Sequence, residues 1–276
     1  MNLTIAVLIT CHNRKEKTIQ CLQALSKAGL PENFALEIFL VDDGSNDGTS
    51  DAVNRAFPEI TLIHGDGNLY WNRGMCRAWT TAIQKKKYDY YLWLNDDSLL
   101  FEYALKKMLE YSLSVQNNRI VVGATCSKID GSLTYSGFKF PKQKLTPNGT
   151  WQDCDYFNGN IVLIPNSVYS KVGLLDHKFR HALGDFDYGM RASKLGLLHS
   201  LSPQYLGNCE YHESAPLWRN PNTRVLQRIK HLYSPLGNNP VEFFTFDRRH
   251  FGLSLAITHF FSIHLRALLP SLWKSS

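Results

Sequence analysis

Apolar runs and amphipathic stretches take turns along the first hundred residues. "LTIAVLIT" (3–10), "ALEIFLV" (35–41), "ITLIHG" (60–65) and "YDYYLWLN" (88–95) are short, β-rich and nearly free of charge, which predicts buried strands. Between them, "RKEKTIQCLQALSKAGL" (14–30) carries Ile19, Leu22 and Leu25 at helical spacing and Gly29 near its end. "DDGSNDGTSDAVNRAF" (42–57) reads as a turn-rich loop running into a short helix, and "NRGMCRAWTTAIQKKK" (72–87) as another helix. This alternation predicts an α/β fold, a mostly parallel central sheet with helices on both faces.

The pattern loosens after Asp97. "LLFEYALKKMLEYSL" predicts a helix, "RIVVGATCS" (119–127) and "DYFNGNIVLIP" (155–165) strands, and "GSLTYSGFKF" (131–140) a hairpin-rich insertion before a polar loop at 141–150. "NSVYSKVGLLD" predicts a short helix, and "GDFDYGMRASKLG" (184–196) a helix that ends at a glycine. The tail, 248–276, has no acidic residue, and Leu253, Ile257, Phe260, Phe261, Leu265 and Leu268 recur at helical spacing. It reads either as a helix packed on the sheet or as an interfacial helix with Arg248, Arg249, Arg266 and Lys274 toward anionic lipid.

In open α/β sheets, ligands bind beyond the carboxyl ends of the strands. Polar clusters stand at those ends: "TCHNR", "DDGSND", "GDGN" and "NDDS". They should gather Asp42, Asp43, Asp66, Asp96 and Asp97 on one edge with His12 and Arg14, a setting for a metal and a polar ligand. The 276 residues can bury a sizeable core. A net charge of +6 suits anionic partners without choosing among them, and no nucleic-acid motif accompanies it. The six cysteines form no C-x-x-C pair, which argues for reduced cytosolic thiols rather than zinc or a disulfide framework. The apolar N-terminus lacks a basic leader and reads as a strand, and no run reaches the roughly 18 apolar residues of a membrane span.

Four groups carry candidate chemistry, each with a plainer alternative. Asp96 and Asp97 could form a Mg²⁺ or Mn²⁺ site, or Asp97 or Ser98 could cap a helix starting near Leu99. "VDDGSNDGT" could offer a carboxylate to a ribose or base N–H, or be only an Asx-rich turn. Asp185 and Asp187 could supply a general base, or simply favour a helix N-terminus. His212 in "CEYHES" is an acceptable Mn²⁺ ligand, though a lone histidine is more often structural.

Taken in order, "TCHNR", "VDDGSNDGT", "GDGN", "LNDDS", "FNGN", "GDFDYGMRASKLG" and "YH" resemble the family 2 glycosyltransferases of GT-A fold, over roughly residues 3 to 213. "GDGNLYWNRGM" is most similar to the rhamnosyltransferase-like branch of bacterial polysaccharide assembly. The resemblance implies an inverting, metal-dependent enzyme that moves a sugar from a nucleoside diphosphate donor, UDP- or dTDP-linked, to a glycan or lipid-linked acceptor. It implies a transferase domain over 1–215, with a nucleotide-binding half (1–98) and an acceptor-binding half (99–215). A helical extension follows over 216–276, placing the enzyme in the cytoplasm or on the inner membrane face. By position, Thr10, His12 and Asp43 match the nucleoside-holding residues. Asn13, Arg14, Asp42, Asp66, Asn68, Arg73 and Asp96 fall in the donor-binding segments. Asp97 and His212 match the ligands of Mn²⁺ or Mg²⁺, and Asp185 matches the catalytic base. Two positions depart from the pattern: Gly184 stands where the family has Glu, and His12 where Tyr is commoner; Arg73 stands where the family often has a small residue, to pair with the diphosphate or only to cover the helix start. Gly184 leaves room for a binding protein with a decayed site, whereas the glycine-free "TCHNRKEK" argues against a sugar-phosphate nucleotidyltransferase.

Overall fold

A computed structural model describes residues 2–211 and 216–272. The chain begins with three strand–helix units and a fourth strand: β1 (Leu3–Cys11), α1 (Lys15–Lys27), β2 (Phe34–Asp42), α2 (Thr49–Ala56), β3 (Thr61–His64), α3 (Tyr70–Lys85) and β4 (Tyr90–Leu94). The two-residue β5 (Leu99–Leu100), α4 (Ala104–Ser114) and β6 (Arg119–Cys126) follow. β7 (Gly137–Lys139), β8 (Gln143–Lys144), β9 (Gln152–Cys154) and β10 (Tyr156–Phe157) fill the insertion. β11 (Ile161–Pro165), α5 (Asn166–Val172), α6 (Gly184–Lys194) and β12 (Leu198–Asn208) complete the sheet-bearing part. The extension holds α7 (Val225–Leu232), α8 (Pro240–His250) and α9 (Leu253–Leu268).

The main sheet runs in the order β3-β2-β1-β4-β11-β6-β12-β5, with β9 added on β12. β3, β2, β1 and β4 are parallel, as are β6 and β12, whereas β11 is antiparallel to both β4 and β6. Alternation along β1 explains the two-sided core. Ile5, Val7 and Ile9 pack with Leu22 and Leu25 of α1 and Met108 and Leu109 of α4. Ala6 and Leu8 pack on the opposite face with Met75, Ala78 and Trp79 of α3 and Tyr188 of α6. Helices therefore cover both faces, and the polar loops are left at the strand ends.

Four local expectations are corrected. The segment after Asp97 enters β5, and α4 starts only at Ala104 with no side-chain cap, so neither Asp97 nor Ser98 caps a helix. The run 155–165 breaks at Asn158–Asn160 into β10 and β11. β12 has no counterpart among the expected strands. The tail is two helices, parted at Phe251 and Gly252, whose φ of 97° suits only glycine.

α8 is fastened to the sheet-bearing part. Buried Asp187 of α6 accepts from Arg191 Nε (2.8 Å), Arg249 Nη1 (2.6 Å) and His250 Nε2 (2.9 Å). Arg249 Nη2 also reaches Asp176 (2.5 Å), and Arg180 Nε reaches Glu242 (2.6 Å). Arg249, expected to face lipid, instead turns inward to two carboxylates. No helix among the described residues is long and apolar enough to cross a membrane.

Candidate active site

The four polar clusters do converge. A cleft of about 380 Å³ is lined by Thr10, Cys11, His12 and Arg14 after β1, Asp43 after β2, Gly67, Tyr70 and Trp71 ahead of and in α3, and Asp96 after β4. His181 and Leu236 close its other side.

The loops that form this edge lock one another. His12 Nδ1 lies 2.5 Å from the Asp43 carbonyl, which can only accept, so this nitrogen carries the proton. His12 Nε2 then accepts from Asn13 Nδ2 at 3.1 Å. Asn13 ties the first loop to the second: its N–H donates to Ser45 Oγ (2.8 Å) and its Oδ1 accepts from Asn46 N (2.8 Å). Asp42 is spent within its own turn, accepting from Ser45 N (3.0 Å) and from the Ser50 hydroxyl. Asp43 reaches across to the third loop, accepting from Gly67 N, Leu69 N and Tyr70 N, each at 2.9 Å. The two neighbouring acids thus divide their work: Asp42 shapes the turn, and Asp43 holds the α3 entrance at the cleft wall.

Asp66 and Asn68 sit exposed on the rim, bonded to each other through Asn68 N and Asp66 Oδ1 (3.0 Å). Arg73 points to the far loop, donating from Nε to the His177 carbonyl (2.9 Å). Asn13, Asp42, Asp66, Asn68 and Arg73 are not among the residues that line the cleft, nor are Asp97 and Asp185; Asp97 lines a neighbouring cavity with Lys17, Lys128 and Glu210. His212 lies outside the described residues.

Asp96 and Asp97 share one cation, the Arg14 guanidinium. Nη1 lies 3.1 Å from Asp96 Oδ1 and 2.8 Å from Asp97 Oδ2. Burial, opposed by Arg14 and reinforced by Asp97, pushes the Asp96 carboxyl up to about 7. Its Oδ2 is buried and has no hydrogen-bond partner. A buried carboxylate with an orphaned oxygen is costly unless another positive group arrives. Two hard-oxygen carboxylates with that orphan fit a divalent cation that takes its remaining ligands from phosphate. Among the described residues, no three potential ligands cluster tightly enough to hold such an ion by themselves.

Asp185 stands in the first turn of α6, where its Oδ2 accepts from Gly159 N (2.9 Å) and its Oδ1 from Phe186 N (2.8 Å). Burial nevertheless pushes its carboxyl up to about 6, with those N–H groups opposing the rise. Asp187, two residues on, is taken up by Arg191, Arg249 and His250. The first is poised to take up a proton near neutrality, and the second is structural.

A physical link joins the two acidic centres. Trp71 Nε1 donates to Asn95 Oδ1 at 2.7 Å, just ahead of the paired carboxylates. The same indole lies against Gly159, where an added Cβ would stand 2.6 Å from its ring and 3.2 Å from Asp185 Cβ. Only a glycine at 159 leaves room for both the indole and the Asp185 side chain against this stretch of backbone.

The model of glycosyl transferase family 2 matches residues 6–173. The chain belongs to that family. An uncharacterised glycosyltransferase of Rickettsia typhi is 26% identical over 162 residues, 55% of this chain and 48% of the relative. The chain thus spans about half the length of that relative. Poly-beta-1,6-N-acetyl-D-glucosamine synthase of Staphylococcus aureus is 30% identical over 106 residues, 38% of this chain and 24% of that one. The crystal structure of S. aureus TarS 1–349 in complex with UDP superposes with a TM-score of 0.57 at 12% identity, covering 96% of this chain and 81% of that one. At that identity the likeness is one of fold, GT-A.

As a family 2 glycosyltransferase, the chain shows why its Gly184 differs from the usual Glu. A Cβ at 184 would overlap the Asn72 side-chain amide. Asn72 cannot retreat, because its Nδ2 donates to the carbonyls of Asp176 (2.8 Å) and Phe179 (2.7 Å). The space of the family's Glu side chain is thus taken from α3. Sequence reasoning missed Tyr70, Trp71, His181 and Leu236. Trp71 sat inside the quoted "GDGNLYWNRGM", and an indole beside a strand-end loop was the available signal. Leu236 had none, since it comes from far along the chain.

Proposed function

We propose that this glycosyltransferase performs a single inverting displacement, from a UDP- or dTDP-linked sugar to a hydroxyl of a glycan or lipid-linked acceptor in surface polysaccharide synthesis. One observation supports the reading: Asp96 lines the cleft, Asp97 shares the Arg14 guanidinium with it, and Asp185 is joined to that pair through Asn95, Trp71 and Gly159. Thr10, His12 and Asp43 offer the nucleoside a wall of fixed geometry. Asp97 and Asp96, with His212, would hold Mn²⁺ or Mg²⁺, which when bound stabilises the negative charge of the departing diphosphate. Arg14, which now neutralises both carboxylates, would then be available to the diphosphate. Asp185 accepts the proton of the attacking hydroxyl, and its carboxyl, raised to about 6, is ionised yet still basic at neutral pH. Attack from the face opposite the diphosphate inverts the anomeric carbon.

A lipid-linked acceptor fits the extension. Leu253, Ile257, Phe261, Leu265 and Leu268 form one exposed line along α9, each at least 44% exposed. Glu242 and Asp247, the only carboxylates in the extension, are buried, whereas Arg219, Arg224, Lys230 and Arg248 are exposed. Such a surface suits the anionic inner face of a membrane. Sedimentation with phosphatidylserine-containing vesicles tests this contact, and equal recovery with Phe261→Glu would remove it. Incubation with a panel of nucleotide sugars and Mn²⁺ tests the transferase reading through release of nucleoside diphosphate.

A further inference from the structure

The extension does more than flank the transferase part. We infer that it completes the donor site, with Leu236 acting as a donor-specificity residue and the Arg180–Glu242 pair as its positioning device. This rests on the reading of the cleft as the donor site.

Leu236 lies between α7 and α8, 62% exposed, yet it lines the same cleft as Thr10, Asp43 and Asp96. A solvent-facing leucine at a cleft mouth would gain from an apolar ligand surface laid over it. The loop that carries it is held at both ends. Asn239 Nδ2 donates to the Tyr233 carbonyl (2.6 Å), while Asn239 Oδ1 caps α8 by accepting from Val241 N (3.0 Å). Gly237 N donates to Ser234 O (3.1 Å), and any Cβ at 237 would overlap the His231 carbonyl, so the tight turn requires glycine.

This loop is coupled to the cleft's opposite wall. Arg180 donates from Nε to Glu242 (2.6 Å) and from Nη2 to the Tyr233 carbonyl (3.3 Å). The Arg180 carbonyl in turn accepts from Asn72 N at 3.0 Å, next to Tyr70 and Trp71 of the cleft. A continuous chain of polar contacts therefore sets the distance between Leu236 and the aromatic wall. The donor would lie between them, its sugar or base face against the leucine.

The test uses the full chain, with calorimetric titration of UDP, dTDP, UDP-glucose and UDP-N-acetylglucosamine in the presence of Mn²⁺. Leu236→Trp, which fills the gap, should weaken the ligands that the wild type binds by tenfold or more. Leu236→Ala should weaken them threefold or more, and Leu236→Met should stay within twofold. For a donor that the wild type turns over, Leu236→Ala and Glu242→Gln should raise donor KM while kcat changes by less than twofold. Thermal midpoints of the Leu236 variants should match the wild type, since the side chain is exposed. If the wild type binds and both Leu236→Trp and Leu236→Ala bind within twofold of it, the inference is overturned and the donor-site reading stands. If the wild type binds no nucleotide, both fall.

Discussion

Replacing Asp185 by asparagine separates the two things its carboxylate does. The side chain is ionised at neutral pH although burial opposes this, which holds its folded-state value at about 6 rather than the ordinary 3.8. Between those values the folded protein keeps a proton that the unfolded chain has lost, so stability falls as pH rises from about 4 to 6 and then levels off. At about 1.4 kcal/mol per pH unit, the rise corresponds to about 3 kcal/mol of stability withheld above pH 6. Asparagine removes the charge but can accept with only one oxygen, so either Gly159 N or Phe186 N loses its partner. A lost partner for a buried N–H costs about 1–3 kcal/mol, but a protonated carboxyl has nearly the same defect at low pH. The variant should therefore match the wild type at pH 4 and be about 1–3 kcal/mol more stable at pH 8. Urea unfolding at a series of pH values reads this directly. Transfer should drop by about 10²–10⁴-fold while UDP affinity stays within about twofold. A variant equally stable at both pH values relative to wild type would refute the buried-base argument, and one with full transfer would refute the role.

Three further outcomes follow from the same geometry. The transfer rate should climb with pH through about 6 and then flatten, because only the ionised Asp185 takes the proton; a rate that falls over that range contradicts it. Arg14→Ala removes the guanidinium that Asp96 and Asp97 share and should lower apo stability by about 1–2 kcal/mol, given the partial exposure of Arg14. Added Mn²⁺ should raise the thermal midpoint of this variant more than that of wild type, and an equal rise would argue against competition between Arg14 and metal. Gly184→Ala drives a Cβ into Asn72 and should destabilise by about 1–3 kcal/mol in urea unfolding, so restoring the family's Glu does not restore function; a change under about 0.5 kcal/mol would show that Asn72 yields.

The first half of the fold was legible because each strand is a short apolar run ending in a polar turn. The direction of β11 was not, since an apolar run reads alike whether its neighbours are parallel or antiparallel. β12 was hidden by its own chemistry. His199, Ser200 and Ser202 are buried in it, and their hydroxyls and ring are absorbed by bonds such as Tyr111 to Ser200 (2.9 Å) and Ala124 N to Ser202 (3.0 Å). Pro203 and a shifted register between Leu201 and Tyr205 further broke its alternation. At the site, adjacency in sequence could not say which acid does what. Asp42 and Asp43 diverge because their turn sends one inward and the other across to α3. Asp185 and Asp187 diverge because Arg249 and His250, over sixty residues later, claim only the second. Those partners come from tertiary packing, which no local pattern encodes.

The most direct measurement is product stereochemistry. With Mn²⁺, a UDP- or dTDP-sugar that the enzyme turns over and an acceptor hydroxyl, proton NMR of the new glycosidic bond reports the anomeric configuration. The product should carry the configuration opposite to the donor's, and should form with wild type and not with Asp185→Asn. Retained configuration, or equal product from Asp185→Asn, would contradict a single displacement with Asp185 as base.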